Sequence, residues 1–310
     1  MLQVLLDKGK VTHNFETTRR HLKRHDCHLT VVTKVFCLTP DILAGLPIPQ
    51  GIEIYDTKTE NIETLQRAGH TLMVDAKDFT GHAAERSVIV SDFSELPRIQ
   101  PNREIVLNFD CGDGRGGFPP QRLDELIRLL NTIGRQNIRV MSNIGCLKAN
   151  GPSARYFDTL GKVVRELDRA GLTVARVSMG GSNCLPYLAS VRKRFAHPVE
   201  LRVGEAIFMG KVPGNKTFDS IGLRPGTAFL QCPASKIGHE TYLASFGYIH
   251  ITRGDIDPRF GNILKQSSEC SILKTKKPLH NGNLALPLEY RGLAKLSNNR
   301  GLTASNTRLF

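Results

Sequence analysis

Residues 28–37 read HLTVVTKVFC: ten residues that are β-branched or apolar nearly throughout, broken by one lysine, Lys34. A run with this texture is what a parallel strand buried on both faces requires. Seven more runs follow at Gly51–Asp56, Thr71–Ala76, Ser87–Asp92, Glu104–Asp110, Asn137–Ile144, Leu172–Met179 and Val199–Val203. Between them the clearest helical stretches are Thr59–Ala68, Gln121–Ile133, Ala154–Ala170 and Leu185–Phe195. The second follows Pro119-Pro120, which a first turn tolerates, and spaces Leu123, Leu126, Ile127 and Leu130 along one stripe. The connections near Phe79–Arg86 and Phe93–Asn102 are too short or irregular to read as helices.

Eight β/α units in about 200 residues predict a TIM-like (β/α)8 barrel. A doubly wound open sheet is the alternative, but no GxGxxG follows the first strand. After Met209 the texture changes to a Gly/Pro-rich stretch with short strands such as Thr227–Cys232, Tyr248–Thr252 and Ser271–Lys274. The expected organisation is therefore an α/β barrel over 1–210 followed by a smaller C-terminal β domain over 211–310.

Composition narrows the function classes. Seven cysteines without CxxC spacing argue against a disulfide framework or a zinc site. No apolar run is long enough to span a membrane, and MLQVLLDKGK is charged too early for a secretory signal. These features predict a cytoplasmic enzyme. The net charge is +13, with 14 basic against 7 acidic residues from Gly204 onward and 28 against 22 before it. The excess is spread over both parts and no nucleic-acid-binding signature accompanies it, so it reads as a solvated basic surface.

Barrel chemistry sits at the C-terminal ends of the strands, and polar residues collect there. A lysine inside a buried strand is costly unless paired or neutral, which suits Lys34 to a desolvated, nucleophilic amine; a snorkelling edge lysine is the bland reading. The fifth strand ends in a glycine-rich loop carrying Arg115, and the sixth ends at Asn143. The seventh ends in Ser178-Met-Gly-Gly-Ser182-Asn183 before a helix. Ser182 or Asn183 is a natural N-cap there, and the same composition makes a phosphate cradle. The eighth carries Arg202 and Gly204. Loops after strands seven and eight commonly form barrel phosphate sites.

VVTKVFC (31–37), NFDCGDGRGG (108–117), SMGGSNCLP (178–186) and LRVGEAIFMGK (201–211) together resemble the fold-type III pyridoxal-phosphate enzymes, the alanine racemase-like family, and within it the ornithine racemase branch. TRGDIDP (252–258) and LEYRGLAKL (288–296) extend the resemblance, so it spans almost the whole chain. It implies a barrel followed by a β domain. It also implies that Lys34 holds pyridoxal 5'-phosphate as an aldimine, Arg115 approaches the phenolic oxygen, and Asn143 lies beside the ring. Ser182, with Asn183 as near neighbour, and Gly204 with the backbone of Glu205 correspond to the phosphate loops. Arg202 corresponds to the arginine at the pyridine nitrogen, and Tyr290 to a tyrosine that reaches the phosphate.

The implied activity is racemisation of a polar, basic amino acid such as ornithine, by proton removal at Cα. The implied assembly is a homodimer whose active site the partner's C-terminal domain completes. Alanine racemases place a tyrosine on the face opposite the lysine. Here the matching segment carries Arg253, Asp255 and Asp257 instead. The two aspartates are candidates for the second acid/base or for a pair that binds a basic side chain; a turn of Asp-Ile-Asp-Pro composition is the structural alternative. A thiol among Cys37, Cys111, Cys146 and Cys184 is a further option. Two competing readings keep the cofactor: an aldolase of the D-threonine type, which would need a metal, and a non-catalytic cofactor-homeostasis barrel, which lacks a C-terminal domain.

Overall fold

The computed structural model describes residues 3–33, 45–46, 48–57, 59–112, 114, 116–143, 152–212, 221–246, 256, 261–267, 270–288 and 307–309. Its first elements are strand β1 (Gln3–Leu6) and helix α1 (Lys8–Arg24). Asp7 caps α1 by accepting from the Lys10 N–H at 3.0 Å, and Val11, Phe15 and Leu22 are its buried stripe. The sequence pattern does not announce this helix, because three apolar anchors are diluted among lysines, arginines and histidines.

Eight parallel strands then close into a barrel in chain order: β2 (Cys27–Val32), β3 (Glu53–Tyr55), β4 (Leu72–Asp75), β5 (Glu85–Val90), β6 (Glu104–Phe109), β7 (Asn137–Asn143), β8 (Thr173–Gly180) and β9 (Val199–Val203). Each falls within a residue or two of an expected run where the structure is described; the end of the first run, from Lys34, lies outside. The barrel helices are α2 (Thr59–Arg67), α3 (Leu123–Thr132), α4 (Ala154–Arg169), α5 (Leu188–Arg192) and α6 (Glu205–Met209). Three of the four expected helices match. The fourth does not: residues Ser182–Tyr187 form a 3-10 run, and α5 is only five residues long. The chain already coils from Ser182, so Pro186 falls beyond the first turn, where it has no N–H to donate to the Ser182 carbonyl and its ring crowds that carbonyl; regular helix begins only after it. Each of the two irregular connections contains or adjoins a single 3-10 turn, at Leu96–Arg98 and Ala76–Asp78.

The remaining strands are β10 (Ala228–Gly238), β11 (Thr241–Ala244), β12 (Asn262–Gln266), β13 (Ser271–Lys274), β14 (Asn283–Pro287) and β15 (Thr307–Leu309). They form one sheet with β1, ordered β12-β13-β11-β10-β1-β15, with β14 also on β10. Ala228, Leu230 and Cys232 alternate inward along β10, opposite Leu284 and Leu286 of β14. The expected strand at Tyr248–Thr252 lies outside the described residues. Among the described residues no helix is long and apolar enough to cross a membrane.

Inside the barrel, the period of two along each strand sorts side chains into tiers. Tyr55, Met73, Ile89, Val106 and Met141, with Val32, form an apolar middle tier. Two residues earlier on their strands, Glu53, Glu104 and Arg139 form a buried ionic tier with Glu200 of β9: Arg139 pairs with all three carboxylates, and Arg176 joins Glu200. Two residues later come Asp75, Asn108 and Asn143, at the C-terminal mouth.

Candidate active site

Asn143, Gly180 and Arg202 stand in register across β7, β8 and β9. Arg202 is 2% exposed. Its Nη2 donates to Asn143 Oδ1 at 2.9 Å and to the Ser142 carbonyl at 3.0 Å; its Nη1 donates to Ser178 Oγ at 2.6 Å. To reach β7 the side chain passes over β8, and only a glycine lets it through. A Cβ on Gly180 would lie 2.6 Å from Asn143 Oδ1 and 2.7 Å from Arg202 Nη2. Burial pulls the Arg202 pKa down and Glu200 opposes this; the guanidinium stays cationic.

The loops after β8 and β9 are tied together. Ser182 Oγ accepts from the Ala206 N–H at 2.9 Å, which leaves the hydroxyl hydrogen to donate elsewhere. Next to it, Asn183 is 2% exposed, and both its Oδ1 and Nδ2 are buried without a hydrogen-bond partner among the described residues. An orphaned buried amide is expensive, and a phosphate oxygen would satisfy its N–H. Gly204 precedes α6 and accepts, through its carbonyl, from the Ile207 and Phe208 N–H groups. Glu205 is the first residue of α6.

The strand end that leads to Lys34 is pinned by a buried carboxylate. Asp56 accepts from Thr33 Oγ1 at 2.5 Å, Asn61 Nδ2 at 3.1 Å and its neighbour Thr57 N at 2.7 Å. On the next strand Tyr55 donates to Asp75 Oδ1 at 3.0 Å, and burial and that carboxylate push the phenol well above its ordinary pKa. The glycine-rich loop after β6 folds back on its own strand. Asp110 Oδ1 accepts from the Gly112 and Gly114 N–H groups, and Phe118 N donates to the Asn108 carbonyl at 2.7 Å. Gly117, at φ +115°, would bring a Cβ within 2.7 Å of that carbonyl. Burial pushes the Cys111 thiol up to about 11, which weighs against a thiolate there.

Asn143, Ser182, Asn183, Arg202, Gly204 and Glu205 are thus gathered at one end of β7, β8 and β9. Lys34, Arg115, Arg253, Asp255, Asp257, Tyr290, Cys37 and Cys146 lie outside the described residues. Among the described residues no group of three His, Cys, Asp or Glu side chains could hold a metal. Sequence reading missed the parts that act through Arg202: Ser178 as its acceptor, Gly180 as its passage and Glu200 behind Ser178. A period-two reading of Glu200-Leu-Arg202 would have found one of them.

The model of the alanine racemase N-terminal domain matches residues 6–212. The chain belongs to this family. Solved structures agree at the level of fold. The alanine racemase of the D-cycloserine producer Streptomyces lavendulae superposes with a TM-score of 0.71 at 16% identity, covering 99% of this chain and 96% of that one. A D-threonine aldolase from Filomicrobium marinum gives 0.70 at 16% identity, over 94% and 88%. The Bartonella henselae alanine racemase with covalently bound pyridoxal phosphate gives 0.71 at 14% identity, over 100% and 99%. The search of curated proteins returned no match. Membership accounts for the barrel; the appended sheet is matched at the level of fold by solved structures that include both racemases and an aldolase.

Proposed function

We propose that the protein is a pyridoxal-phosphate-dependent amino-acid racemase acting on a polar, basic amino acid such as ornithine. The observation that carries this is the buried Arg202, held by three hydrogen bonds over Gly180 at the barrel mouth. Arg202 would meet the ring nitrogen of the cofactor and Asn143 would lie beside the ring. The Ser182 hydroxyl, the orphaned Asn183 amide and the backbone at Gly204 and Glu205 would receive the phosphate. By family resemblance Lys34, Arg115 and Tyr290 complete this set. When bound, the cofactor withdraws electrons from the substrate's α-carbon and makes its proton acidic. A guanidinium that keeps its protons leaves the ring nitrogen without one, which restrains competing transamination. Lys34 would carry the α-proton on one face. Asp255 and Asp257 would serve the other face or hold the distal ammonium of the substrate. The site would be completed in a homodimer by the partner's C-terminal sheet.

The test is to incubate the cofactor-loaded protein with a panel of L-amino acids in heavy water and follow chirality and α-deuteration. Inversion with deuterium uptake, best for ornithine or lysine, supports the reading. Loaded protein that exchanges no α-proton overturns it, and aldehyde release from β-hydroxy amino acids would place it among the aldolases. Light scattering decides the dimer: a fully active monomer would contradict it.

A further inference from the structure

Behind Arg202 lies a hydrogen-bonded relay with a fixed direction. A guanidinium has only donors, so Arg202 Nη1 must give its hydrogen to Ser178 Oγ, at 2.6 Å. The single hydrogen of Ser178 then has one place to go among the partners it meets: Glu200 Oε1, at 2.6 Å. Glu200 is fully buried, and its other oxygen accepts from Arg176 at 2.8 Å and from Arg139 at 3.2 Å. Burial alone would raise the Glu200 carboxyl, but Arg139, Ser178 and Arg176 outweigh it and hold it below the usual range. The carboxylate is therefore an anion that orients the Ser178 hydroxyl, and the hydroxyl presents its lone pairs to Arg202. An ionic tier serving the barrel alone would close on Arg139 and Arg176; this one reaches upward through Ser178 to the residue at the mouth.

We propose that Ser178 and Glu200 are positioning residues that fix the place and orientation of the Arg202 guanidinium and, through it, the protonation of the cofactor's ring nitrogen. The proposal rests on the function proposed above. It makes the ionic tier at the base of the barrel a part of the reaction's selectivity as well as of its stability. No bond forms or breaks in this role. The relay keeps Arg202 from drifting off the ring nitrogen, where solvent would supply a proton instead.

The experiment loads wild type, Ser178→Ala, Ser178→Thr and Glu200→Gln with cofactor labelled with 15N in the ring. It records the 15N shift against pH, the ratio of racemised to transaminated product, and the urea midpoint of each cofactor-free protein. In Ser178→Ala the guanidinium loses one acceptor. The shift should move toward that of a protonated ring and the transaminated share should rise. The kcat should fall roughly ten- to a hundredfold, as for one hydrogen bond to a charged group, with KM little changed. Ser178→Thr keeps the hydroxyl and should restore all three. Ser178→Ala protein with the wild-type shift and product ratio would overturn the proposal while leaving the racemase reading intact. So would a folded Ser178→Thr protein that behaves like Ser178→Ala. Glu200→Gln should move the shift in the same direction; if it does not fold, the two Ser178 variants decide. A wild type that takes up no cofactor would overturn both readings.

Discussion

Replacing Gly180 by alanine should damage the site without touching any polar group. The new Cβ would meet Asn143 Oδ1 at 2.6 Å and Arg202 Nη2 at 2.7 Å, where ordinary contact begins near 3.4 Å. The amide and the guanidinium must therefore withdraw by about 0.8 and 0.7 Å, the differences from 3.4 Å. Withdrawal straight away from the new Cβ would stretch their 2.9 Å bond beyond hydrogen-bond reach. Losing a hydrogen bond from a charged donor costs about 1.5–3 kcal/mol, and overpacking a filled interior about 1–3 kcal/mol. The lower backbone entropy of alanine returns about 0.5–1 kcal/mol, so the net loss should be about 1.5–5.5 kcal/mol. Urea unfolding of the cofactor-free protein reads this directly. Gly161→Ala is the matched control of opposite sign. It lies inside α4, where the nearest obstacle is the flexible tip of Arg165 at 3.3 Å, and should stabilise by about 0.5–1 kcal/mol. If Gly180→Ala unfolds at the wild-type midpoint and binds cofactor with the wild-type spectrum, the account of how Arg202 crosses β8 is wrong.

Arg139→Met leaves Glu53, Glu104 and Glu200 without their shared cation and should cost about 3–5 kcal/mol, read as a lowered urea midpoint; an unchanged midpoint would remove the ionic tier from the stability argument. The folded-state pKa of Glu200 is lowered, so the stability it lends is complete above the unfolded carboxylate value and is lost as pH falls through that range. Glu200→Gln should flatten this acid limb below the ordinary carboxylate range, and an identical limb in both proteins would refute the assignment. Among the described cysteines, the exposed Cys270 should be marked first by thiol labelling near pH 8. It should leave Cys111, pushed up to about 11, and Cys232, pushed up to about 12, unmarked until unfolding; early modification of Cys111 would reopen the thiol option.

The barrel was legible because its strands are buried on both faces. Such strands are apolar nearly throughout, apart from the ionic tier, and eight such runs stand out from their polar connections. Helix α1 was not, since Val11, Phe15 and Leu22 bury one narrow stripe of a helix whose remaining surface is charged. The length of α5 was misread because the chain starts to coil at Ser182, ahead of the apolar stretch, which puts Pro186 past the first turn, where its missing N–H interrupts the α-helical ladder. At the site, Arg202, Asn143 and Ser182 could be named from motif position. Their coupling could not, because the bonds from Arg202 to Asn143 and Ser178 join strands 59 and 24 residues apart in the chain. Periodicity describes one strand at a time, and such links appear only when the barrel closes.

Strand β1 pairs Leu6 with Ala228 and also runs beside β15, although α1 and the whole barrel separate it from them in sequence. The two parts of the molecule are therefore buckled at two points, once by the peptide link after β9 and once by this strand. A single nick between Val212 and Ala228 would not release the sheet: the fragments should elute together and separate only in denaturant. Assembly carries a matching delay. The barrel strands pair mostly with chain neighbours, whereas β1 can pair only once β10 and β15 are available, so this long-range closure should form late. Removing residues 1–6 should then spare the barrel and detach the edge strand β15 from the sheet, because β1 alone joins it to β10.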